Sequence, residues 1–109
     1  MKEATFNLTL DNNLVGILSF KEGCWIFKYA NEYKETDFTS LLNFPDLNKI
    51  YNSEELWPFF SSRIPSLARK NIQDEIKKKD LNENNYLELL SYFGKRTITN
   101  PFELNNISS

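Results

Sequence analysis

Between Thr5 and Tyr29 the chain alternates apolar and polar side chains three times, and each alternation stops at turn-forming residues. Thr5-Phe6-Asn7-Leu8-Thr9-Leu10 carries an apolar residue at every second position. On a pleated strand that spacing collects the apolar side chains on one face and leaves the other to water. Asp11-Asn12-Asn13 follows, residues that tolerate left-handed turn angles. Val15-Gly16-Ile17-Leu18-Ser19-Phe20 reads as a second strand, Lys21-Glu22-Gly23 as a second tight turn, and Cys24-Trp25-Ile26-Phe27-Lys28-Tyr29 as a third strand. Trp25, Phe27 and Tyr29 share one face of that strand. Turns this short can only join antiparallel neighbours, so the chain opens as a meander.

The pattern then changes. Ala30 to Asp37 is polar, and Phe38-Thr39-Ser40-Leu41-Leu42 offers a short fourth strand. Asn43 to Asn52, with Pro45 and Asp46, reads as loop. Ser53 is a candidate N-cap, with Glu54 and Glu55 suited to the positive end of a helix through Leu56, Phe60 and Ile64. Pro58 is awkward inside that helix, because its missing N–H is harmless only in the first turn. The helix therefore begins nearer Leu56 or opens irregularly. Pro65-Ser66 starts a second helix with Ile64, Leu67, Ala68, Ile72 and Ile76 on one face and Lys77-Lys78-Lys79 at its negative end. Asn82 caps a third, with Tyr86, Leu87, Leu90 and Phe93 apolar and Gly94 as the stop. From Lys95 the chain reads as irregular. Strands first and helices second is an α+β pattern: a small antiparallel β-meander of three or four strands followed by three helices packed on it, in one domain over residues 1–104 with a flexible tail at 105–109.

Composition narrows the chemistry. The 109 residues hold no histidine and a single cysteine, which removes the commonest general base and the usual zinc ligand sets. Cys24 lies in an apolar strand and reads as sheet filler, and a lone cysteine admits no intrachain disulfide, which suits a reducing cytoplasm. Gly16, Gly23 and Gly94 are far apart, so no phosphate-cradling loop is present. Glu54-Glu55 is an adjacent carboxylate pair, and its place at a helix start suits the dipole better than acid–base chemistry. The start, Met1-Lys2-Glu3-Ala4-Thr5-Phe6, has no apolar core of a secretory signal. No apolar run approaches the ~20 residues that span a bilayer. The basic run from Arg69-Lys70 to Lys77-Lys78-Lys79 is interleaved with Asp74, Glu75 and Asp80 and lacks stacking aromatics. It reads as a solvated helix face, with a DNA-associated role as the alternative. An enzyme, a cofactor and a metal are not expected.

Ser53 to Ser66 holds the densest aromatic cluster. Trp57 and Phe59 flank the Leu56–Phe60–Ile64 stripe, and a helix this short cannot hide both flanks without neighbours on each side. Either Trp57, Phe59 and Phe60 are all core, or Trp57 or Phe59, with Arg63, forms part of a protein–protein anchor. Trp and Arg are the side chains most often found at the energetic centre of such interfaces. Trp57, Phe59, Ser61, Ser62 and Arg63 form the candidate partner-binding set.

Val15-Gly16-Ile17-Leu18, Phe27-Lys28-Tyr29 and Leu56-Trp57-Pro58-Phe59-Phe60 with Ile64-Pro65 resemble the N-terminal subdomain of HipA-type serine/threonine kinases. Phe93-Gly94-Lys95-Arg96 through Pro101-Phe102-Glu103-Leu104 resembles the ending of its short, stand-alone forms. The resemblance runs from about Thr5 to Leu104 and has no counterpart of the kinase core. It implies a non-catalytic, HipS-like antitoxin of a tripartite bacterial toxin–antitoxin system. Such a protein would bind and neutralise a HipT-like kinase toxin, with a HipB-like DNA-binding protein in the same complex. Ser61-Ser62-Arg63 departs from the longer kinases, which often place an acid and small residues there. Toxicity of the chain by itself is a further reading.

Overall fold

The computed structural model describes residues 3–34, 44–95 and 101–107. Two turns set its geometry. Asp11 and Asn12 take φ of 50° and 67°, and Glu22 and Gly23 take 52° and 76°. These left-handed angles match the natural twist of a two-residue hairpin. They join β1 (Ala4–Leu10), β2 (Asn13–Lys21) and β3 (Cys24–Tyr29) with Leu10 opposite Asn13 and Lys21 opposite Cys24. The expected meander is thus present, nearly to the residue.

Two edge strands complete the sheet. β4 (Tyr51–Ser53) pairs with β3, and β5 (Glu103–Asn106) pairs with β1, giving the antiparallel order β4-β3-β2-β1-β5. Neither edge was expected from the sequence. Tyr51-Asn52 read as loop and Ser53 as a helix cap, yet the three residues extend beside Trp25, Ile26 and Phe27. Asn105 and Asn106, expected in a loose tail, pair with Asn7 and Phe6, and the Ile107 amide donates to the Thr5 carbonyl at 2.8 Å. The fourth strand expected at residues 38–42 lies outside the described residues.

The register shifts between Leu8 and Thr9: Leu8 faces Gly16, whereas Thr9 faces Leu14. Val15 is the extra residue of a β-bulge, so Val15 and Gly16 are both buried, against strict alternation. A side chain at Gly16 has no room, since a Cβ there would lie 2.6 Å from Phe27 Cζ and 2.8 Å from the Lys28 carbonyl oxygen.

Among the described residues four helices accompany the sheet: α1 (Asn31–Lys34), α2 (Pro58–Ser61), α3 (Lys70–Lys78) and α4 (Tyr86–Phe93). The first is a single helical turn within the polar stretch Ala30 to Asp37, which reads as a turn or one loose helical turn. The one read from Ser53 to Ile64 shrinks to a single turn, leaving Glu54 and Glu55 in the connection before it. Asn85, not Asn82, caps α4; its Oδ1 accepts the Leu87 amide at 3.0 Å and the Glu88 amide at 3.4 Å. Asn82 serves the preceding turn, accepting the Asn84 amide at 2.9 Å.

One sheet face carries the core. Phe6, Leu8, Leu18, Phe27 and Leu104 meet Phe44, Phe60, Leu87 and Leu90 in one apolar cluster. Each buried large apolar side chain is worth roughly 1.5–3 kcal/mol against exposure. Leu89 turns away from that cluster and joins Ile72 and Ile76 of α3 in a smaller one. Two residues expected on apolar faces are outside: Ala68, and Tyr86 at 58% exposure.

Candidate partner-docking site

Trp57 stands before the helix, not inside it. Its φ of −63° and ψ of 147° make it the extended N-cap of α2, with Pro58 as the first helical residue. The two facts have one cause. A proline ring pushes its predecessor into extended backbone, and at the first helical position the missing N–H costs nothing. Pro58 thus fixes where the helix starts and holds Trp57 out at its mouth. The Phe60 and Ser61 amides return to the Trp57 carbonyl at 2.9 and 3.0 Å.

The turn then divides its aromatic residues between core and surface. Phe60 is fully buried, 5.5 Å from the Phe27 ring and 5.8 Å from that of Phe44. Trp57 meets Phe44 edge-on at 5.0 Å, and Phe59 meets Phe60 and Phe102 edge-on at 5.1 and 5.7 Å. Both Trp57 and Phe59 are half-buried, packed on the core from one side. One side of each ring belongs to the core, and the anchor reading concerns the side left exposed. Ser61 is half-buried and Ser62 exposed at the helix end, where the Ser62 amide donates to the Pro58 carbonyl at 3.0 Å.

Arg63 lies apart from this exposed edge. It is only 3% exposed, against the expectation that its guanidinium faces a partner. Nε donates to the Gly94 carbonyl at 2.5 Å, and Nη2 donates to the Lys95 carbonyl at 2.9 Å and to that of Phe102 at 2.5 Å. Burial draws its pKa below the usual arginine range, and the nearby Glu103 carboxylate opposes that pull. Among charged side chains arginine alone presents a fork that can serve several acceptors at once. Its role is to fasten the end of α2 to the segments on either side of residues 96–100.

Sequence reasoning missed the two supports of this site. Phe44 falls in a stretch read as loop, and Phe102 in one read as irregular. The only hint was a phenylalanine before a proline in one case and after one in the other, where a large apolar side chain needs somewhere to go.

Among the described residues no group of three His, Cys, Asp or Glu side chains could hold a metal ion, and no helix is long and apolar enough to cross a membrane. Cys24 is half-buried on the sheet face opposite Trp25. Along α3, Lys70, Lys77 and Lys78 are exposed, but so is Asp74, and Glu75 accepts a hydrogen bond from the Tyr92 hydroxyl at 2.6 Å. Among the described residues, clefts elsewhere on the surface include these two. One, of about 520 Å³, is bounded by Phe20, Trp25, Glu54 and Tyr86; the other, of about 410 Å³, runs between α1 and residues 48–50.

These features match a known domain. The family model of the HipA N-terminal domain matches residues 6–99. Among solved structures, the N-terminal domain of HipA toxin superposes with a TM-score of 0.64 at 16% identity, over 97% of this chain and 94% of that one. No curated protein matches. At that identity the superposition speaks for the fold, and the family model, which spans most of the sequence, speaks for descent: the chain belongs to the HipA N-terminal domain family.

Proposed function

We propose that this chain is an antitoxin that binds and neutralises a HipT-like serine/threonine kinase toxin. It would take the place that the N-terminal domain holds beside the catalytic core in longer HipA-type kinases. A HipB-like DNA-binding protein would share the complex through the kinase. The observation that carries the reading is the half-buried pair Trp57 and Phe59, packed against the buried rings of Phe44 and Phe60. Large aromatic side chains fixed before binding lose little entropy on docking, which is why so few of them can dominate an interface. The choice of a HipA-type partner is supported by the matched solved domain, which is the N-terminal domain of HipA toxin.

Neutralisation by occupancy needs no chemistry from this chain, in keeping with a sequence that has no histidine and one cysteine. Co-expression with the kinase encoded beside it tests the proposal. The expected result is a co-purifying complex and relief of kinase toxicity. Separate elution with toxicity unrelieved would overturn it, and growth arrest on expression of this chain alone would assign it the opposite role.

A further inference from the structure

The cleft between α1 and residues 48–50 has a composition unlike that of the chain as a whole. Its floor is the outer face of the sheet, where Ile17 of β2 stands opposite Lys28 of β3. Lys34 closes one wall, and Lys49 and Ile50 the other. Lys28 and Lys49 are exposed, Lys34 is half-buried, and Ile50 is 58% exposed. Glu32 is the one acidic residue among the described lining residues. Three lysines against one glutamate give the described lining a charge of +2 on a chain whose net charge is −2. None of the three lysines forms an ion pair with a described residue; Lys49 instead places Nζ 5.1 Å from the centre of the Tyr51 ring.

Like charges gathered at one place on an oppositely charged surface raise the local concentration of counter-charged ligands. Two isoleucines between them add apolar area that water solvates poorly and a free anion cannot cover. We infer that this cleft docks an acidic segment of a partner protein, with carboxylates on the three lysines and an apolar side chain against Ile17 and Ile50. A nucleic acid fits less well. The three lysines line a single cleft, and Tyr29 is buried with its hydroxyl committed to the Phe44 carbonyl at 2.6 Å, so it offers no stacking face. The described lining includes neither Trp57 nor Phe59, so the surface is separate from the proposed kinase anchor and stands or falls without it.

The test uses the isotope-labelled full chain alone. It is titrated with a hexapeptide of Asp and Glu residues around a central Leu-Phe pair. A twin peptide carries Asn and Gln in place of the acids, and a short DNA duplex serves as the second probe. The expected result is amide shifts centred on Ile17, Lys28, Lys49 and Ile50. The neutral twin should bind about tenfold more weakly, as should the Lys28→Gln/Lys49→Gln variant, since two or three exposed ion pairs together supply about that factor. An unchanged melting temperature shows that the variant is folded. Absence of shifts, shifts centred elsewhere, equal binding of the neutral twin, or tighter binding of the duplex at these residues would each overturn the inference.

Discussion

Arg63 and Phe102 are joined by a hydrogen bond of 2.5 Å from the guanidinium Nη2 to the backbone carbonyl, linking the end of α2 to the approach to β5. The same side chain holds the carbonyls of Gly94 and Lys95. Removing it would take away these three hydrogen bonds, one of them buried, although the Lys95 carbonyl keeps the Leu104 amide at 2.9 Å. Hydrogen bonds to charged groups contribute roughly 1.5–3 kcal/mol each, and they do not add fully when shared by one side chain. Arg63→Ala should therefore destabilise the fold by about 3 kcal/mol in denaturant unfolding. Arg63→Lys should recover less than half of that, because one ammonium cannot span three carbonyls placed for a fork. Full rescue by lysine would mean that charge alone matters at this position.

Gly16 faces a different constraint. Its backbone angles are ordinary, but the bulge brings it against the Phe27 ring and the Lys28 carbonyl. An added methyl group has to displace a fully buried ring or bend the neighbouring strand. Overpacking of this kind costs typically 1–3 kcal/mol, so Gly16→Ala should lower the unfolding free energy by about 2 kcal/mol. Pairing it with Phe27→Leu, which trims the obstructing ring, should cost less than the two single changes added together. Strict additivity in that cycle would place the strain elsewhere.

The three central strands and their turns were legible in the sequence because both signals are local: alternation over six residues, and Asp11-Asn12 or Glu22-Gly23 between. The edges were not. Tyr51-Asn52-Ser53 is too short to show a period, and Ser53 has the chemistry of a helix cap; its hydroxyl does accept the Glu55 amide at 3.1 Å, but in a turn. Asn105 and Asn106 have low strand propensity and extend because Asn7 and Phe6, at the other end of the chain, leave a row of backbone groups to pair. The aromatic site was half legible. Trp57 and Phe59 stood out by their crowding, whereas the burial of Arg63 depends on carbonyls at Gly94, Lys95 and Phe102 that no local pattern ties to it.

The tyrosines provide a pH signature. Tyr33 is 5% exposed and stacks on Tyr29 at 5.6 Å, and burial raises its pKa above the usual phenol value. Tyr92 is also raised, chiefly by the hydrogen bond it donates to Glu75, which a phenolate could not make. An acid whose pKa is raised by folding holds its proton more tightly in the native state. The stability this represents is complete below the unfolded value near pH ~10 and is lost as pH climbs through the folded one. Unfolding free energy should be flat through neutrality and fall on the alkaline side, and Tyr33→Phe should make that fall shallower. In a tyrosinate absorbance titration, Glu75→Gln should return the Tyr92 transition toward the ordinary phenol range while leaving that of Tyr33 in place.

Trp57 separates folding from binding. Its ring touches the core through one edge, against Phe44 at 5.0 Å, and the helix that follows depends on Pro58 rather than on the indole. Truncating a fully buried aromatic residue costs roughly 3–5 kcal/mol, and a half-buried one should cost about 1–2 kcal/mol. Loss of an interface anchor costs 2 kcal/mol or more in binding, about thirtyfold in Kd. Trp57→Ala should therefore leave a folded chain whose affinity for the kinase falls by more than its stability does. Phe60→Ala, which removes a side chain with no exposed surface, should show the reverse order, with unfolding as the dominant effect. Phe59→Ala should lie between them, because Phe59 supports Phe102 while keeping one side open. The three variants are ranked by urea melts and by titration against the kinase. If Trp57→Ala and Phe60→Ala lose stability alike while kinase affinity is unchanged, the half-exposed ring belongs to the core and the partner contacts another surface.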